Sequence, residues 1–536
     1  MLEPIAEALA RVRASARMRA VFTVLAVLTL GVVALFALVP DDVHFFKAKW
    51  LLMPDETGML LSARHLADDG SLKIDDPWFF RSPAHLPEGV ATVGDEIVPR
   101  KAVGGYLVYA AAFRVSDDAW TYVGPFFGIV AVVSLAAIVY LRTGRYWPAA
   151  LAGLVFGTSS PFIIWASGLA FDNIIATGLF FFSVVMFELY LRTDSLPLAL
   201  AGSASAGFAV LVRNEFIVGV ALTLAVVVWS LFRMGRLKRR IAARPLVIGV
   251  LLLLVAVVPL MNQYLYGNPL HTGYPARAWH GSLGGVARSL LDFNLGDFYV
   301  LARSYLVEIG LPTTVLLLLG IAASAYLKAF HRLDVILLGF AAFLLYFYLG
   351  KRGSYGSDHV WLVSSYPRYI LPVYGIGAAL GAAGIWRLLP RLRLQPAEAG
   401  AVMMWVALVA MSIGIREAFT NDRGVSYVEE TTSVLHSIDK VASEVPGTIV
   451  VSDVHGKGVI DGRALTPRLL SDHSQITRIV ATELDEGHRV LVDPDYSHPL
   501  YSGYLEYLEA AGFRMEQVNE SPSMLEVSGN ANPASQ

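Results

Sequence analysis

Several acidic and basic side chains of this chain stand beside apolar stretches, where they could act together at one depth. The acids are Asp55, Glu56, Asp172 and Glu215, and the cations are Lys101, Arg213 and Arg368. A carboxylate can take a proton from a hydroxyl or an amine, and guanidinium or ammonium groups bind phosphate. This set of residue types favours group transfer from a phosphate-bearing substrate, provided that the fold brings its members together.

Each of these residues also has a purely structural explanation. Asp55 and Glu56 precede an amphipathic stretch, where acids cap a helix and interact favourably with its dipole. Asp172 could cap a helix in the same way, and Lys101 could extend toward lipid headgroups. The residue types alone leave both interpretations open, so the elements that position them must be considered.

Composition indicates that those elements are mostly membrane helices. The chain has 536 residues, of which 55% are hydrophobic and only 16% are charged, against about 25% charged in soluble proteins. This composition excludes a soluble enzyme, a disordered protein and a nucleic-acid binder. The absence of cysteine excludes disulfides, haem attachment, thiolate metal sites and a cysteine nucleophile.

Eleven uncharged stretches approach the roughly 20 residues that a membrane-spanning helix needs. They are Val21–Val39, Ala119–Leu141, Tyr146–Phe171, Asn173–Phe187, Ser195–Val212, Phe216–Phe232, Pro245–Tyr264, Ile309–Leu327, Val335–Gly350, Tyr369–Trp386 and Ala399–Ile415. The first follows several arginines, so a cleaved signal peptide is a competing interpretation. It is longer than the apolar core of about 7–15 residues in such peptides, and we therefore expect an uncleaved anchor.

Basic residues alternate along the connections between these stretches. With a cytoplasmic N-terminus, every second connection is rich in Lys and Arg, as the positive-inside rule requires. The first outer connection is then a long loop, residues 41–118. The apolar segment Lys101–Arg114 within it is too short to span, which favours a helix in the membrane interface. The sequence thus predicts a multi-pass protein of the plasma (inner) membrane, with its candidate site on the outer face.

The composition changes after Arg416. Residues 417–536 are acidic and contain three short strand-like segments with helical patterns between and after them. The segments are Thr448–Ser452, Arg489–Asp493 and Arg514–Val518. We therefore predict a transmembrane domain, residues 1–416, that includes the large outer loop, and a small extracytoplasmic α/β domain, residues 417–536.

The order of these parts resembles the GT-C superfamily of glycosyltransferases, which use polyprenyl-phosphate-linked sugars. The superfamily includes the protein O-mannosyltransferases and the bacterial transferase that adds aminoarabinose to lipid A. The resemblance covers residues 20–390 and is carried by short motifs in a fixed order. They are Pro54-Asp55-Glu56-Thr57, Lys101-Ala102-Val103-Gly104-Gly105-Tyr106, Asp172 and Arg368-Tyr369-Ile370-Leu371-Pro372.

The resemblance implies an α-helical, GT-C-like polytopic membrane protein of about 11 transmembrane helices. Asp55 resembles the catalytic acid of the first outer loop, with Glu56 beside it, and Asp172 resembles the acid of the second. Lys101 is similar to the cation that meets the lipid phosphate, and Arg368 to an arginine of a late span. Arg213 is a further candidate phosphate ligand because of its charge and its predicted depth.

The resulting hypothesis is transfer of a sugar from a polyprenyl-phosphate-linked donor to a lipid, glycan or protein acceptor. Cations would stabilise the departing phosphate, a carboxylate would take the acceptor's proton, and attack opposite the phosphate would invert the anomeric centre. Paired carboxylates could also hold Mg²⁺ or Mn²⁺. The alternatives are an inactive GT-C-like scaffold, a glycan ligase or polymerase of another fold, and a lipid or solute transporter, although charges deep in the membrane, typical of transporters, are scarce.

Overall fold

The computed structural model describes most of the chain outside the first 53 residues. The described residues are 54–86, 90–167, 171–234, 245–271, 293–350, 365–420, 445, 447–452, 463–494, 503–518 and 521–529. The predicted anchor Val21–Val39 and the chain end after residue 529 lie outside them.

The segment before the first long apolar helix combines two helices with a hairpin. Its elements are α1 (Pro54–Asp69), β1 (Val90–Val93), β2 (Glu96–Pro99) and α2 (Val103–Phe113). The antiparallel hairpin turns at Gly94, whose φ of +61° is a conformation that glycine adopts without steric cost. Helix α2 confirms a helix within the predicted segment Lys101–Arg114, and its location in the membrane interface stays a prediction.

A series of helices runs through the described part of residues 123–420. These are α3 (Val123–Thr143), α4 (Tyr146–Gly157), α5 (Ser160–Ser167), α6 (Asp172–Thr193), α7 (Leu196–Val212), α8 (Phe216–Arg233), α9 (Pro245–Tyr266), α10 (Leu295–Ala302), α11 (Leu311–Tyr326), α12 (Arg332–Leu349), α13 (Ser365–Tyr369), α14 (Leu371–Leu388) and α15 (Pro396–Thr420). A π-helical stretch, Arg303–Ile309, joins α10 to α11. Every predicted span after residue 118 falls on one of these helices or on two successive helices.

By length and composition, seven helices of the described part could cross a membrane, or nine if each bent pair is one span. Helices α4 and α5 meet at 65°, and the stretch from Leu295 to Ile309 meets α11 at 104°. Pro312 lies in the first turn of α11, where proline is compatible with a helix start but not with continuation of the preceding one. The chain is thus a multi-pass membrane protein, and the predicted count of eleven spans stays a prediction.

Glycines allow α11 and α14 to approach each other closely. A Cβ added to Gly381 would lie 2.4 Å from Leu316 Cβ, and one added to Gly320 would lie 2.4 Å from the backbone of Leu380. Small residues at helix contacts are the usual means of close packing in membranes, where tails of lipid are as apolar as the side chains.

The described residues of the C-terminal part include a five-stranded mixed sheet and two α-helices. In chain order its elements are β3 (Ile449–Val451), β4 (Arg463–Leu465), α16 (Ile476–Asp485), β5 (Val490–Val492), α17 (Tyr504–Ala510), β6 (Arg514–Val518) and β7 (Ser521–Ser528). The strand order is β4-β3-β5-β7-β6, with β3 parallel to β4 and β5 and with β7 antiparallel to β5 and β6. The three predicted strands are confirmed, and β4 and β7 are additional.

The described residues group into two compact units. The helical unit includes Ala102–Gly105 and the described residues of Ala119–Ser426. The loop–sheet unit includes the described residues of Lys49–Lys101, Tyr106–Asp118 and Tyr427–Gln536. The core of the loop–sheet unit contains Trp78 and Ala84 together with side chains of the C-terminal sheet. The predicted domain boundary at residues 416 and 417 stays a prediction.

Candidate active site

Helix α6 begins with two buried polar residues. The backbone of Phe171 is extended, and Asp172 and Asn173 open the helix with only 2% and 3% of their surfaces exposed. An acid in the first turn interacts favourably with the helix dipole. Burial of a carboxylate is nevertheless costly unless a donor or an opposite charge accompanies it.

Arg213 supplies that charge from the turn between α7 and α8. Its Nη1 donates hydrogen bonds to Asp172 Oδ1 (3.1 Å) and Asn173 Oδ1 (3.2 Å). Its Nε donates to Glu215 Oε1 (2.6 Å), and its Nη2 donates to the Tyr348 hydroxyl (3.3 Å). All three guanidinium nitrogens therefore bind groups of the protein itself.

Tyr348, near the end of α12, connects this turn to two more helices. Its hydroxyl donates a hydrogen bond to Glu215 Oε1. Its ring stacks on that of Tyr369, the last residue of α13, with 4.6 Å between centroids and 13° between planes. The guanidinium carbon of Arg213 lies 5.0 Å from the Tyr369 ring centre. Of the two stacked tyrosines, Tyr348 therefore binds the Glu215 carboxylate and Tyr369 contacts the Arg213 guanidinium.

Arg368 is buried among aromatic rings, with 2% of its surface exposed. Its guanidinium carbon lies 4.1 Å from the ring centre of Phe171, 4.9 Å from that of Tyr369 and 5.5 Å from that of Trp165. Its Nη2 donates a hydrogen bond to the Tyr369 hydroxyl (3.0 Å). Aromatic faces attract a cation through their quadrupoles, and they keep the guanidinium in place.

Together these side chains form what we term the arginine cluster. Its members are Asp172, Asn173, Arg213, Glu215, Tyr348, Arg368 and Tyr369. The two arginines balance the two carboxylates when all four are ionised. The cluster joins the start of α6, the α7–α8 turn, the end of α12 and the end of α13.

Solved structures match this architecture over nearly the whole chain. The crystal structure of ArnT from Cupriavidus metallidurans bound to undecaprenyl phosphate gives a TM-score of 0.55 at 13% identity, covering 94% of this chain and 97% of that one. Its apo state gives 0.52 at 14% identity, covering 93% and 97%. The apo oligosaccharyltransferase of Archaeoglobus fulgidus gives 0.51 at 11% identity, covering 95% and 74%. The chain has the GT-C fold.

These matching structures are glycosyltransferases of the GT-C superfamily. No protein-family model and no curated protein sequence matches the chain. At identities of 11–14%, these likenesses establish the fold of the chain.

Within this GT-C fold, part of the predicted site comes together. Asp172 pairs with Arg213, and Arg213 and Arg368 both contact Tyr369. Sequence reasoning did not single out Tyr348, although a tyrosine close to the end of an apolar stretch carries a hydroxyl that needs a partner when buried.

The other predicted residues belong to the loop–sheet unit. Asp55 and Glu56 lie in the first turn of α1, and their side chains are outside the described part. Lys101 precedes α2 with 8% of its surface exposed, and its backbone N–H donates a hydrogen bond to the Tyr106 hydroxyl (3.2 Å). The predicted roles of Asp55, Glu56 and Lys101 therefore stay predictions.

The possible Mg²⁺ or Mn²⁺ site gains no support from the arginine cluster, because Asp172 and Glu215 both bind Arg213. Among the described residues, one group of three side chains has metal-ligand spacing: Glu483, Glu486 and His488 of the loop–sheet unit. Arg81 Nη1 lies 2.6 Å from Glu486 Oε2 and 3.3 Å from Glu483 Oε1. The guanidinium of Arg81 thus already contacts both of these carboxylates.

Proposed function

We propose that this chain is a membrane glycosyltransferase. It moves a sugar from a polyprenyl-phosphate-linked donor to a lipid, glycan or protein acceptor at the outer face of the plasma membrane. In this proposal the N-terminus is cytoplasmic and the C-terminal α/β domain is extracytoplasmic.

The observation that carries the proposal is the arginine cluster within a GT-C fold. A buried carboxylate, Asp172, and a buried cation, Arg368, lie at neighbouring helix ends and are connected through Arg213 and Tyr369. ArnT, which shares the fold, was solved with undecaprenyl phosphate bound. A polyprenyl phosphate is an anion of the kind that an arginine or lysine binds well.

The geometry favours different roles for the two arginines. Arg213 has its Nε, Nη1 and Nη2 engaged with four protein groups, so we assign it to orienting Asp172 rather than to binding phosphate as the sequence predicted. Arg368 lies against the ring faces of Phe171 and Tyr369, and we assign it, together with Lys101, to the donor phosphate.

The reaction needs one base and one stabilised leaving group. Asp55, with Glu56 beside it, takes the proton of the acceptor hydroxyl or amine as its oxygen or nitrogen bonds to the anomeric carbon. The bond from that carbon to the phosphate oxygen breaks, and polyprenyl phosphate leaves as an anion stabilised by Lys101 and Arg368. Attack from the face opposite the phosphate inverts the anomeric centre.

The test is transfer of radiolabelled sugar from polyprenyl-phosphate-sugar to membrane acceptors. We expect Asp55→Asn to lower transfer by about 100-fold or more at equal expression, because a general base contributes roughly 10²–10⁴-fold. Asp68→Asn is the matched control, since Asp68 lies on the same helix, its side chain is 64% exposed, and it pairs with Arg64 at 3.7 Å.

Equal transfer by the Asp55→Asn variant and wild type would refute the base assignment. Absence of transfer by wild type with every donor pool would refute the glycosyltransferase and favour an inactive scaffold or a transporter.

A further inference from the structure

Glu483, on helix α16, is a buried carboxylate bonded from several sides. Its side chain is 1% exposed. Its oxygens lie within hydrogen-bond distance of Trp78 Nε1 (3.4 Å), Arg81 Nη1 (3.3 Å), His85 Nε2 (3.0 Å) and His488 Nδ1 (2.7 Å). Burial by itself would raise the pKa of Glu483, but the hydrogen bonds from His85 and Trp78 and the neighbouring positive charge lower this pKa to about 2. The carboxylate is therefore charged at any pH where the protein would be assayed.

Three of the four donors come from the first loop rather than from the C-terminal region. Segment 76–86 forms two 3₁₀ turns, Pro77–Phe80 and Pro83–His85, and the side chain of Asp76 caps the first of them by accepting from the Trp78 N–H. The same segment completes the core of the sheet, because Trp78 and Ala84 are buried among its strands. The Thr466 N–H also donates a hydrogen bond to the Ala84 carbonyl (2.8 Å).

The residues just before this segment connect it to the parts of the loop that carry the candidate chemistry. Toward helix α1, which carries Asp55, His65 Nε2 lies 2.9 Å from the Lys73 carbonyl oxygen. Toward strand β2, which comes shortly before Lys101, Lys73 Nζ donates a hydrogen bond to Glu96 Oε2 (2.7 Å). Ile74 also pairs with Ile97 of β2 through two backbone hydrogen bonds. The loop is therefore one connected structure from α1 to β2, and segment 76–86 is where it attaches to the sheet.

We propose that Glu483 is a positioning residue for the transfer reaction. It fixes segment 76–86 to the C-terminal sheet and thereby sets the place of the loop that carries Asp55 and Lys101. Its effect is transmitted through the loop, without contact to the substrate. The inference rests on the proposed glycosyltransferase function and gives the C-terminal region a part in it.

The test compares the KM for the polyprenyl-phosphate-sugar donor in full-length wild type and Glu483→Gln. We expect the KM to rise about fivefold, because small displacements of binding groups weaken substrate contacts markedly. A loss of folded molecules would lower only the maximal rate and leave KM unchanged. Glu526→Gln is the matched control, since it removes a carboxylate of β7 that pairs with Arg489 at the surface (2.9 Å).

Hydrogen exchange measured on the same samples reports the attachment itself. We expect faster exchange in residues 54–86 of Glu483→Gln and no change in helices α6 and α12. If Glu483→Gln does not fold, His85→Gln removes one of the four contacts and is expected to raise KM about twofold.

An unchanged KM combined with faster exchange in residues 76–86 would overturn the positioning role and leave Glu483 as a local stabiliser. Unchanged exchange would overturn the attachment. If wild type transfers no sugar, the proposed function fails and the positioning role with it, whereas the exchange result still decides the attachment.

Discussion

Two of the buried ion pairs in the described part of the helical unit lie at opposite ends of the same helices. Asp172 opens α6 and pairs with Arg213, beside Tyr348 near the end of α12. Asp334 lies in the first turn of α12 and pairs with Arg142 at 2.6 Å. With a rise of 1.5 Å per residue, Asp334 and Tyr348 are separated by about 21 Å along the helix.

The two pairs differ in what surrounds them. Asp334 Oδ2 accepts from Arg142 and from the His331 N–H (2.9 Å), and nearby Glu188 is bound by the guanidinium groups of two arginines, Arg192 and Arg332. These contacts tie α3, α6 and α12 to one another. The arginine cluster instead places two tyrosine hydroxyls and a ring-bound arginine beside its ion pair.

A buried ion pair is therefore not by itself a sign of function. A pair enclosed by further charges and backbone groups stabilises helix packing. The Asp172–Arg213 pair lies at a helix start, near a second cation, Arg368, that contacts aromatic rings. Such a set of charges has the components that phosphate binding and proton transfer use. Three substitutions test whether the Asp334–Arg142 pair is structural and the Asp172–Arg213 pair is functional.

The largest effect is expected from Asp334→Asn. The substitution leaves Arg142 charged with its side chain 2% exposed, and breaking such a pair costs about 3 kcal/mol or more. We expect a marked fall in the Tm of the detergent-solubilised protein, with sugar transfer per folded molecule unchanged.

The double variant Arg142→Met with Asp334→Leu provides the control for this loss. Removal of both charges leaves no unpaired group, and apolar replacements of buried pairs are often neutral or stabilising. A Tm as low as that of Asp334→Asn would contradict the view that the pair acts only through its charges.

Asp172→Asn is expected to lower sugar transfer strongly and the Tm only slightly, the reverse of Asp334→Asn. Arg213 keeps the carboxylate of Glu215 as its counter-charge (2.6 Å), and the new amide oxygen can still accept from it, so the Tm should change little. Loss of this second acid of the proposed site should lower transfer about 100-fold, equivalent to about 2.7 kcal/mol. Transfer rates normalised to folded protein check this. A large fall in Tm with normal turnover would place Asp172 with Asp334 as a structural acid.

Tyr348→Phe should have the smallest effect. It removes the hydroxyl that binds Glu215 and Arg213 but keeps the ring that stacks on Tyr369. We expect about a tenfold loss of transfer, since one hydrogen bond to a charged group contributes about 1.5 kcal/mol or more. Phe347→Leu is a neighbouring control, and an equal loss in both variants would indicate a packing effect rather than the hydroxyl.

Much of the fold could be predicted from the sequence because its causes are local. The uncharged stretch Asn173–Phe187 became α6, extended by one residue to Asp172 at its start and by several at its end. The apolar segments around residues 450 and 491 became β3 and β5. Strand β4 was not predicted, because its three residues, Arg463–Leu465, include none of the β-branched residues that mark β3 and β5.

The candidate site could be predicted only in part. Their charge and their position near the ends of apolar stretches predicted Asp172, Arg213 and Arg368 as site residues. Nothing near Arg213 in the sequence indicates that its Nη2 binds Tyr348, which is 135 residues further along the chain. Nor does the apolar sequence around Trp165 indicate that its ring lies against Arg368.

Contiguous residues are thus enough to indicate a multi-pass membrane protein and the positions of its apolar helices, because the thickness of the bilayer and the burial of apolar surface act on neighbours in the chain. Charge and position along the chain also indicate which ionisable groups stand near helix ends. The fold was needed to show that Arg213 binds protein acceptors, that Arg368 lies against aromatic rings, and that Trp78 of the first loop belongs to the core of the C-terminal sheet. These outcomes depend on partners distant in the sequence, which packing brings together.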